Sequence, residues 1–468
     1  MKLYAAISGD IASLIRNGTL KPGDRLPSVR MLCREHGISI NTAKRVFLEL
    51  EGLSLIDSKP QSGYFVSRTP LKRLPLPEVS RPSQASGSTE PGELIRKVYL
   101  AMGRENVTPF SMGVPSDALL PLPALNKELI RATRQLRGSG TQYEELQGNA
   151  ELRRGIAARS FHWGGRLHES DLVTTAGGMN ALSFSMMALA KRGDVLAVES
   201  PIYSGILQLA LSLGLKVMEL PTHPGTGIVI DALKKALPHI DLCLLVPNFN
   251  TPLGSCMPDE NKREVVQLLA KHKIPLIEDD LYGDLYFGNQ RPKCCKSFDE
   301  QGTVLWCSSV SKTLAPGYRV GWVAPGIYKE QVMKLKLAHA ISAPAITQEA
   351  VANFLKSGRY ENHLRKLRQT LHQNYHRYAD TIAQHFPDGT RTSSPQGGLA
   401  LWVEFDKKID TAGLFDTAIK QNISIAPGRI FTLQDQYQNC MRLCIGLPWT
   451  PDLEQKLIKL GRLAKMEL

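Results

Sequence analysis

Residues 306–322 read WCSSVSKTLAPGYRVGW and set one lysine, Lys312, among the small hydroxylated residues Ser308, Ser309 and Ser311. Arg319 follows seven positions later, with apolar residues after it. Such a stretch suits an amine held in a crowded pocket beside a fixed cation. Only a neutral amine attacks a carbonyl, so a pocket that displaces the lysine charge makes Lys312 a Schiff-base nucleophile. Arg319 and the hydroxyls of Ser309 and Ser311 then suit an anionic group such as a phosphate. The plain alternative is a solvated lysine on a loop, so the segment is weighed with its surroundings.

From Glu93 onward, helical patterns alternate with short strand-like runs: LVTTA, VLAVES, LKVMEL, LCLLVP, IPLIEDD and VLWCSS. This alternation predicts an α/β body, a mostly parallel sheet covered by helices, whose ligands gather beyond the carboxyl ends of the strands. The chain after about Val332, with the runs ALWVEF, ISIAP and CMRLCIG, predicts a smaller α+β domain. Polar residues cluster at the predicted strand ends. Gly177, Gly178 and Met179 follow LVTTA and open a helix, where free backbone N–H groups seat an anion. Tyr203 follows VLAVES and offers a ring to stack on a flat heterocycle. Asn250 in PNFNTPLG lies past LCLLVP, within reach of a ring hydroxyl. Asp279 follows the apolar run 274–277, where a partly buried carboxylate is costly unless a cation compensates. A protonated ring nitrogen is such a cation, and keeping it charged makes the ring an electron sink. Tyr282 stands three residues on. Each alone also reads as a turn, a core ring or a helix cap.

The order Gly177-Gly178, Tyr203, Asn250, Asp279, Tyr282, Ser309, Lys312, Arg319 resembles the class I and II aminotransferases of fold-type-I pyridoxal 5'-phosphate enzymes, across almost all of residues 93–468. The resemblance implies pyridoxal phosphate as cofactor, joined to Lys312. By it Asp279 meets the pyridine nitrogen, Tyr203 stacks on the ring, and Asn250 and Tyr282 reach the ring oxygen. Gly178, Met179, Ser309 and Arg319 take the phosphate. Arg442, in CMRLCIG, matches the arginine that clamps a substrate carboxylate, for which a bidentate guanidinium is suited. Tyr143, in YEELQG, matches a tyrosine that reaches the neighbouring subunit's phosphate, which implies a homodimer with shared sites.

The first 67 residues have another character. Ile7, Ile11, Leu14 and Ile15 recur at helical spacing up to Asn17-Gly18. Ser28 is placed to cap a second helix with Val29, Leu32 and Cys33 inward, ended by Gly37. Ser39 caps a third, with Ala43, Val46, Phe47 and Leu50 inward and Asn41, Lys44 and Arg45 outward. Two helices joined by a tight turn, the second polar and basic at its start, suit the DNA major groove, and Thr42 can add a contact. LSLID and GYFVS, around 58–62, predict a hairpin. PGDRLPSVRMLCREHGIS, NTAKRVFLELEGL and QSGYFV resemble the GntR family of bacterial regulators, a winged helix-turn-helix. That resemblance implies double-stranded DNA contacts by Arg30, Ser39, Thr42, Lys44 and the wing tip at Ser62-Gly63. It departs at Ile40, where the family's recognition helix often begins with arginine.

Residues 68–92 are rich in Pro, Ser and Gly with no apolar period and predict a linker. About 25 residues reach roughly 80 Å if extended and about 30 Å as a coil. Arg68, Lys72, Arg73 and Arg81 can add phosphate contacts there, although a solvated linker is the plainer reading. The chain has 468 residues, long enough for two to four domains, and a net charge of +13 compatible with a polyanionic partner. No apolar run approaches the roughly 20 residues of a membrane span, and MKLYAAISGD lacks a signal-peptide core, which predicts a cytoplasmic protein with no membrane partner. The eight cysteines have no zinc-site spacing and predict reduced, mostly buried thiols, with no metal. A GntR-type head on an aminotransferase-like body resembles the MocR subfamily of regulators, which implies a body that senses pyridoxal phosphate or an amine or amino acid. The alternative is an active aminotransferase carrying an autoregulatory DNA-binding head.

Overall fold

The computed structural model describes residues 3–52, 55–59, 62–67, 74–83, 92–288 and 290–467. Contacts divide the chain into two compact units, Met1–Leu74 with His372–Gln384, and Pro75–Leu371 with His385–Leu468.

In the first unit, the helix Val29–His36 begins where the Ser28 hydroxyl accepts from the Met31 N–H at 3.2 Å, and ends at Gly37 with φ 62°. That left-handed turn costs glycine little, since it has no Cβ. The helix Ile40–Gly52 is capped by Ser39, whose Oγ accepts from the Thr42 N–H at 3.1 Å. Its Ala43, Val46, Phe47 and Leu50 are fully buried against Tyr4, Ile7, Ile11 and Leu32, as the periodicity requires. Leu14 departs from expectation and is half exposed while Ile15 packs on the core. Neighbouring helical residues point about 100° apart, and Leu14 falls at the outer edge of the stripe that Ile7, Ile11 and Ile15 turn to the core. The hairpin pairs Ile56–Lys59 with Gly63–Val66 in antiparallel register. A further edge, not expected from sequence, comes from residues 23–26: Leu26 N–H donates to Tyr64 O at 2.8 Å and Val66 N–H to Asp24 O at 2.7 Å. Tyr64 stacks on Phe47 at 4.2 Å, fastening the wing to the third helix.

The second unit is built on an eight-stranded sheet in the order 173–175, 321–324, 304–309, 276–279, 242–245, 195–200, 216–223, 227–228. All six expected strand runs are present, and 304–309, 276–279, 242–245, 195–200 and 216–223 are mutually parallel. The strand Gly321–Ala324, unexpected from sequence, runs antiparallel to both its neighbours. It returns the chain after Arg319 alongside the strand that leads to Lys312. Between sheet and helices lie Ala197, Leu245, Val265, Leu269 and Leu276, all buried. The smaller sheet, 391–392, 400–404, 440–444 and 426–427, is antiparallel, as expected of an α+β domain. All eight cysteines are free thiols, six of them buried.

The expected linker is bound for part of its length. The Glu78 N–H donates to Glu404 Oε2 at 3.0 Å, and the Thr392 N–H to Pro75 O at 3.0 Å. Ser80 is buried and its Oγ accepts from the Thr222 N–H at 2.7 Å. Ser83 exchanges two bonds with the Gln434 amide, at 2.7 and 2.9 Å. A proline-rich strand without helical or sheet partners can still satisfy its backbone on side chains of a preformed surface. Arg81 is exposed; Arg68, Lys72 and Arg73, like the wing residues Pro60 and Gln61, lie outside the described residues.

Candidate functional site

Beyond the carboxyl ends of the parallel strands lies a cavity of ≈ 170 Å³, whose wall includes Gly178, Met179, Tyr203, Asp279, Tyr282, Ser309, Ser311, Lys312 and Arg319. Nine of the sequence-derived candidates therefore converge on one space, although they span more than a hundred residues of chain. The sheet explains it: Asp279 ends one strand opposite Cys307 of the next, and Ser309 ends that next strand three residues before Lys312.

The Lys312 amine donates to Gly113 O at 2.8 Å and stands 5.7 Å from the centre of the Tyr282 ring. Asp279 is 4% exposed and accepts from the Leu281 N–H at 3.2 Å. Burial pushes its carboxyl up to about 7, against the pull of that hydrogen bond and of Lys312. A buried carboxyl so placed is a ready partner for a cation entering the cavity. Gly177 does not line the wall itself but stands at the N-cap of the helix Gly178–Leu189 with φ 86°. A Cβ there would collide with the Arg319 guanidinium, whose Nη2 donates to Ala176 O at 3.1 Å. Glycine thus lets the arginine cross the helix start, where Ser309 Oγ also stands beside Gly178, and Ser311 adds a second hydroxyl to the same wall. The donor set fits a phosphate, the buried carboxyl a protonated ring nitrogen, and the lysine an aldehyde.

Three candidates stand elsewhere. Asn250 is fully buried and gives its side-chain N–H to Glu199 Oε2 at 2.9 Å, while the next residue, Thr251, supplies the wall. Arg442 is 5% exposed and donates to the carbonyls of Ser111 and Met112, the latter at 3.0 Å, with its Nε lacking a hydrogen-bond partner among the described residues. Its guanidinium and the Lys312 amine flank Gly113. Tyr143 is 79% exposed and does not line the wall.

Sequence reasoning passed over Val114, Val246, Thr251, Leu281 and Pro316 on the wall. It also passed over Glu199, whose Oε2 accepts from Val246 N–H at 2.7 Å and whose Oε1 has no hydrogen-bond partner among the described residues. Burial, with the nearby Asp279 charge, pushes Glu199 up to about 7. Glu199 stands near the end of the apolar strand Val195–Ser200 as Asp279 ends its own, and the same cost of burying a carboxylate marks it. Tyr99 was missed as well; its hydroxyl pairs with that of Tyr203 at 3.0 Å. Burial and this neighbour push the Tyr203 phenol upward.

On the first unit, Arg30, Ser39, Asn41, Lys44, Arg45 and Ser62 are exposed. Thr42 is half-buried and pairs its hydroxyl with Ser39 at 2.9 Å. Gly63 turns the wing with φ 99°. The Arg45 guanidinium lies over the Tyr4 ring at 4.2 Å, so part of its charge is engaged within the unit. Ile40, at the start of the helix, is 55% exposed.

Aminotransferase class I and II matches residues 105–452, and the gntR family of bacterial regulatory proteins matches residues 3–66. The uncharacterized HTH-type transcriptional regulator YjiR of Escherichia coli (strain K12) is 36% identical over 98% of both chains. Among solved structures, LysN, an alpha-aminoadipate aminotransferase from Thermus thermophilus, superposes with TM-score 0.73 at 24% identity, over 80% of this chain and 95% of its own. The kynurenine aminotransferase of Pyrococcus horikoshii gives 0.74 at 22% identity, over 83% and 96%. The first was crystallised with N-(5'-phosphopyridoxyl)-L-leucine and the second with PMP. Among the described residues no helix is long and apolar enough to cross a membrane.

Proposed function

The chain belongs to the class I and II aminotransferase family and carries a GntR-family head, and from that premise we propose that it is a transcription regulator whose body binds pyridoxal phosphate and an amino compound at Lys312. The observation that carries the reading is the convergence of Lys312, Asp279, Tyr203, Tyr282 and Arg319 on one cavity, in a chain that begins with a DNA-binding fold. The cofactor supplies an aldehyde that condenses with amines and a ring that withdraws electrons.

The protein's own residues do the rest. Lys312 offers the amine. Asp279 ionises against the cationic ring nitrogen and fixes its proton there. Tyr203 covers a ring face, and Tyr282 and Asn250 serve the ring oxygen, Asn250 once its amide turns from Glu199. Gly178, Met179, Ser309, Ser311 and Arg319 hold the phosphate. Arg442 takes a carboxylate of the amino compound in exchange for the carbonyls of Ser111 and Met112. Tyr143 serves the site of a second copy in a homodimer. On the head, Arg30, Ser39, Asn41, Thr42, Lys44, Arg45, Ser62 and Gly63 meet double-stranded operator DNA, in the cytoplasm. A ligand changes DNA affinity only through its differential affinity for two arrangements of the protein.

Footprinting on DNA upstream of the protein's own gene, with and without pyridoxal phosphate and candidate amino acids, tests this. Protection that shifts with ligand is expected; no protection under any of these conditions overturns the regulatory reading. The presence of both Lys312 and Asp279 on the cavity wall also favours a second reading, an active aminotransferase. Sustained keto-acid production from amino acids and 2-oxoglutarate at ordinary enzymatic rates would establish it.

A further inference from the structure

Between the cavity and the bound linker segment 75–83 lies a polar network, buried at its centre, Glu219, and open to solvent where Gln434 meets Ser83. This carboxylate, on the strand Lys216–His223, is 2% exposed. It accepts from Ser200 Oγ at 2.5 Å, from Thr432 Oγ1 at 2.7 and 2.8 Å, and from the Leu433 N–H at 2.7 Å. Every one of these partners is a donor, so an acceptor-only carboxylate suits the place.

From Ser200 the chain runs toward the cavity. Two residues on, the Ile202 N–H donates to Phe431 O at 3.0 Å, and the next residue is Tyr203 on the cavity wall. From Glu219 the network also runs toward the linker, by two routes. On its own strand, Thr222 accepts from the Ser200 N–H at 3.1 Å and gives its backbone N–H to Ser80 Oγ. On the loop that follows Leu433, the Gln434 N–H donates to Thr432 Oγ1 at 3.0 Å and the Gln434 side chain grips Ser83. Tyr437 closes the circuit, its hydroxyl 2.9 Å from Ser200 Oγ. Ser200, Thr222 and Thr432 are all fully buried. Polar groups sequestered from water rearrange together or not at all, because each unmade bond leaves a desolvated donor.

We propose that Glu219 is a positioning residue that couples occupancy of the cavity beside Tyr203 to the hold on the segment 75–83. The proposal rests on the pyridoxal phosphate reading above. Glu219 touches neither the cavity nor the segment; it sets Ser200 on one side and Thr432 with Leu433 on the other. Tyr203 settling on a bound ring adjusts Ser200, and the shared carboxylate passes the adjustment to the residues that grip Ser80 and Ser83. Because coupling between two sites is reciprocal, loosening the segment must weaken the ligand by the same factor.

The test uses the full chain, with pyridoxal phosphate as the probe. Uptake is followed by visible absorption, and hydrogen exchange is measured across 75–83 with and without it. In the unaltered protein the probe is expected to slow exchange across that segment by about tenfold, within the usual range of site-to-site coupling. Gln434→Ala, which removes both bonds to Ser83 and leaves the cavity wall intact, should erase most of that protection and weaken uptake several-fold. Glu219→Gln should do the same, since an amide cannot accept from every donor at once. Tyr437→Phe, which deletes one hydroxyl, keeps the test available if Glu219→Gln fails to fold. Coloured protein whose segment exchanges identically with and without the probe, or variants that bind it as tightly as the parent, would overturn the coupling and leave the cofactor reading intact. A parent protein that stays colourless would remove both.

Discussion

The outer end of the recognition helix and the wall of the Lys312 cavity use similar residue types under opposite conditions of hydration. Asn41 and Lys44 stand in solvent. Asp279 and Glu199 are 4% and 0% exposed, and burial pushes both up to about 7. Exposed charge acts over a Debye length and fades as salt is added. Buried charge acts when a partner of opposite sign docks against it, and is costly when none does. The head is therefore expected to answer to ionic strength, and the cavity to ligand and pH.

The largest effects belong to the cavity. Lys312→Ala should abolish the visible absorption of the pyridoxal-phosphate-treated protein and leave thermal unfolding nearly unchanged; a band kept at full strength would remove Lys312 from its assigned role. Asp279→Asn should come next. Removing one member of a buried charge pair costs about 3–5 kcal/mol, so cofactor affinity should fall on the order of a hundredfold or more, read from an absorption titration. The pH dependence follows from Asp279 as well. Its carboxyl is protonated below about 7 in the free protein and must ionise to face a cation. Affinity should accordingly fall with pH below that point, by up to about tenfold per unit. In Asp279→Asn that dependence should vanish.

Glu199 sharpens the contrast because it is buried in the same neighbourhood without being assigned a ligand. Its folded value of about 7 lies above the ordinary 4.5, so the acid form is favoured in the native state. Its contribution to stability is then full below about pH 4.5 and is lost as pH rises through 7. Glu199→Gln keeps an acceptor for the Val246 and Asn250 N–H groups and removes the ionisation. Relative to the parent, the variant should gain on the order of 3 kcal/mol between pH 4.5 and pH 8. Denaturant unfolding at the two pH values measures it. Equal stability differences at both would mean that Glu199 does not titrate as its burial requires.

The same contrast explains what could be read from the chain alone. Asp279 was legible because a carboxylate at the end of a strand that opens on an apolar run is an anomaly that burial makes costly. Lys312 and Arg319 were legible because their neighbours are as distinctive as they are. Strands with continuous apolar runs declared themselves; Gly321–Ala324 did not, since nothing local to GWVA sets its direction against Val304–Ser309. The hold on residues 75–83 was illegible for a related reason. Its bonds join the backbone at 75, 78, 80 and 83 to Thr392, Glu404, Thr222 and Gln434, and no local period records partners hundreds of residues away. Asn250 follows the strand Leu242–Leu245 as its place in the sequence requires, but the pull of Glu199 on its amide depends on a neighbouring strand. Arg45 was correctly read as outward, while its stacking on Tyr4 depends on how the first helix crosses the third.

That last residue supplies the smallest and most discriminating test. Lys44 and Arg45 are adjacent, equally charged and both exposed, yet Arg45 lies over the Tyr4 ring. Lys44→Ala should lower the slope of log affinity against log salt by about one if the lysine meets a phosphate, and leave stability nearly unchanged. Arg45→Ala loses a cation–π contact worth about 0.5–1 kcal/mol at an exposed site, which denaturant unfolding should detect in the head. Its salt slope should change less than that of Lys44→Ala, because its guanidinium is already committed to an aromatic face. Equal slopes for the two variants, with no loss of stability in the second, would show that Arg45 leaves Tyr4 to meet the DNA. The boundary between solvated and engaged charge would then run through the head itself.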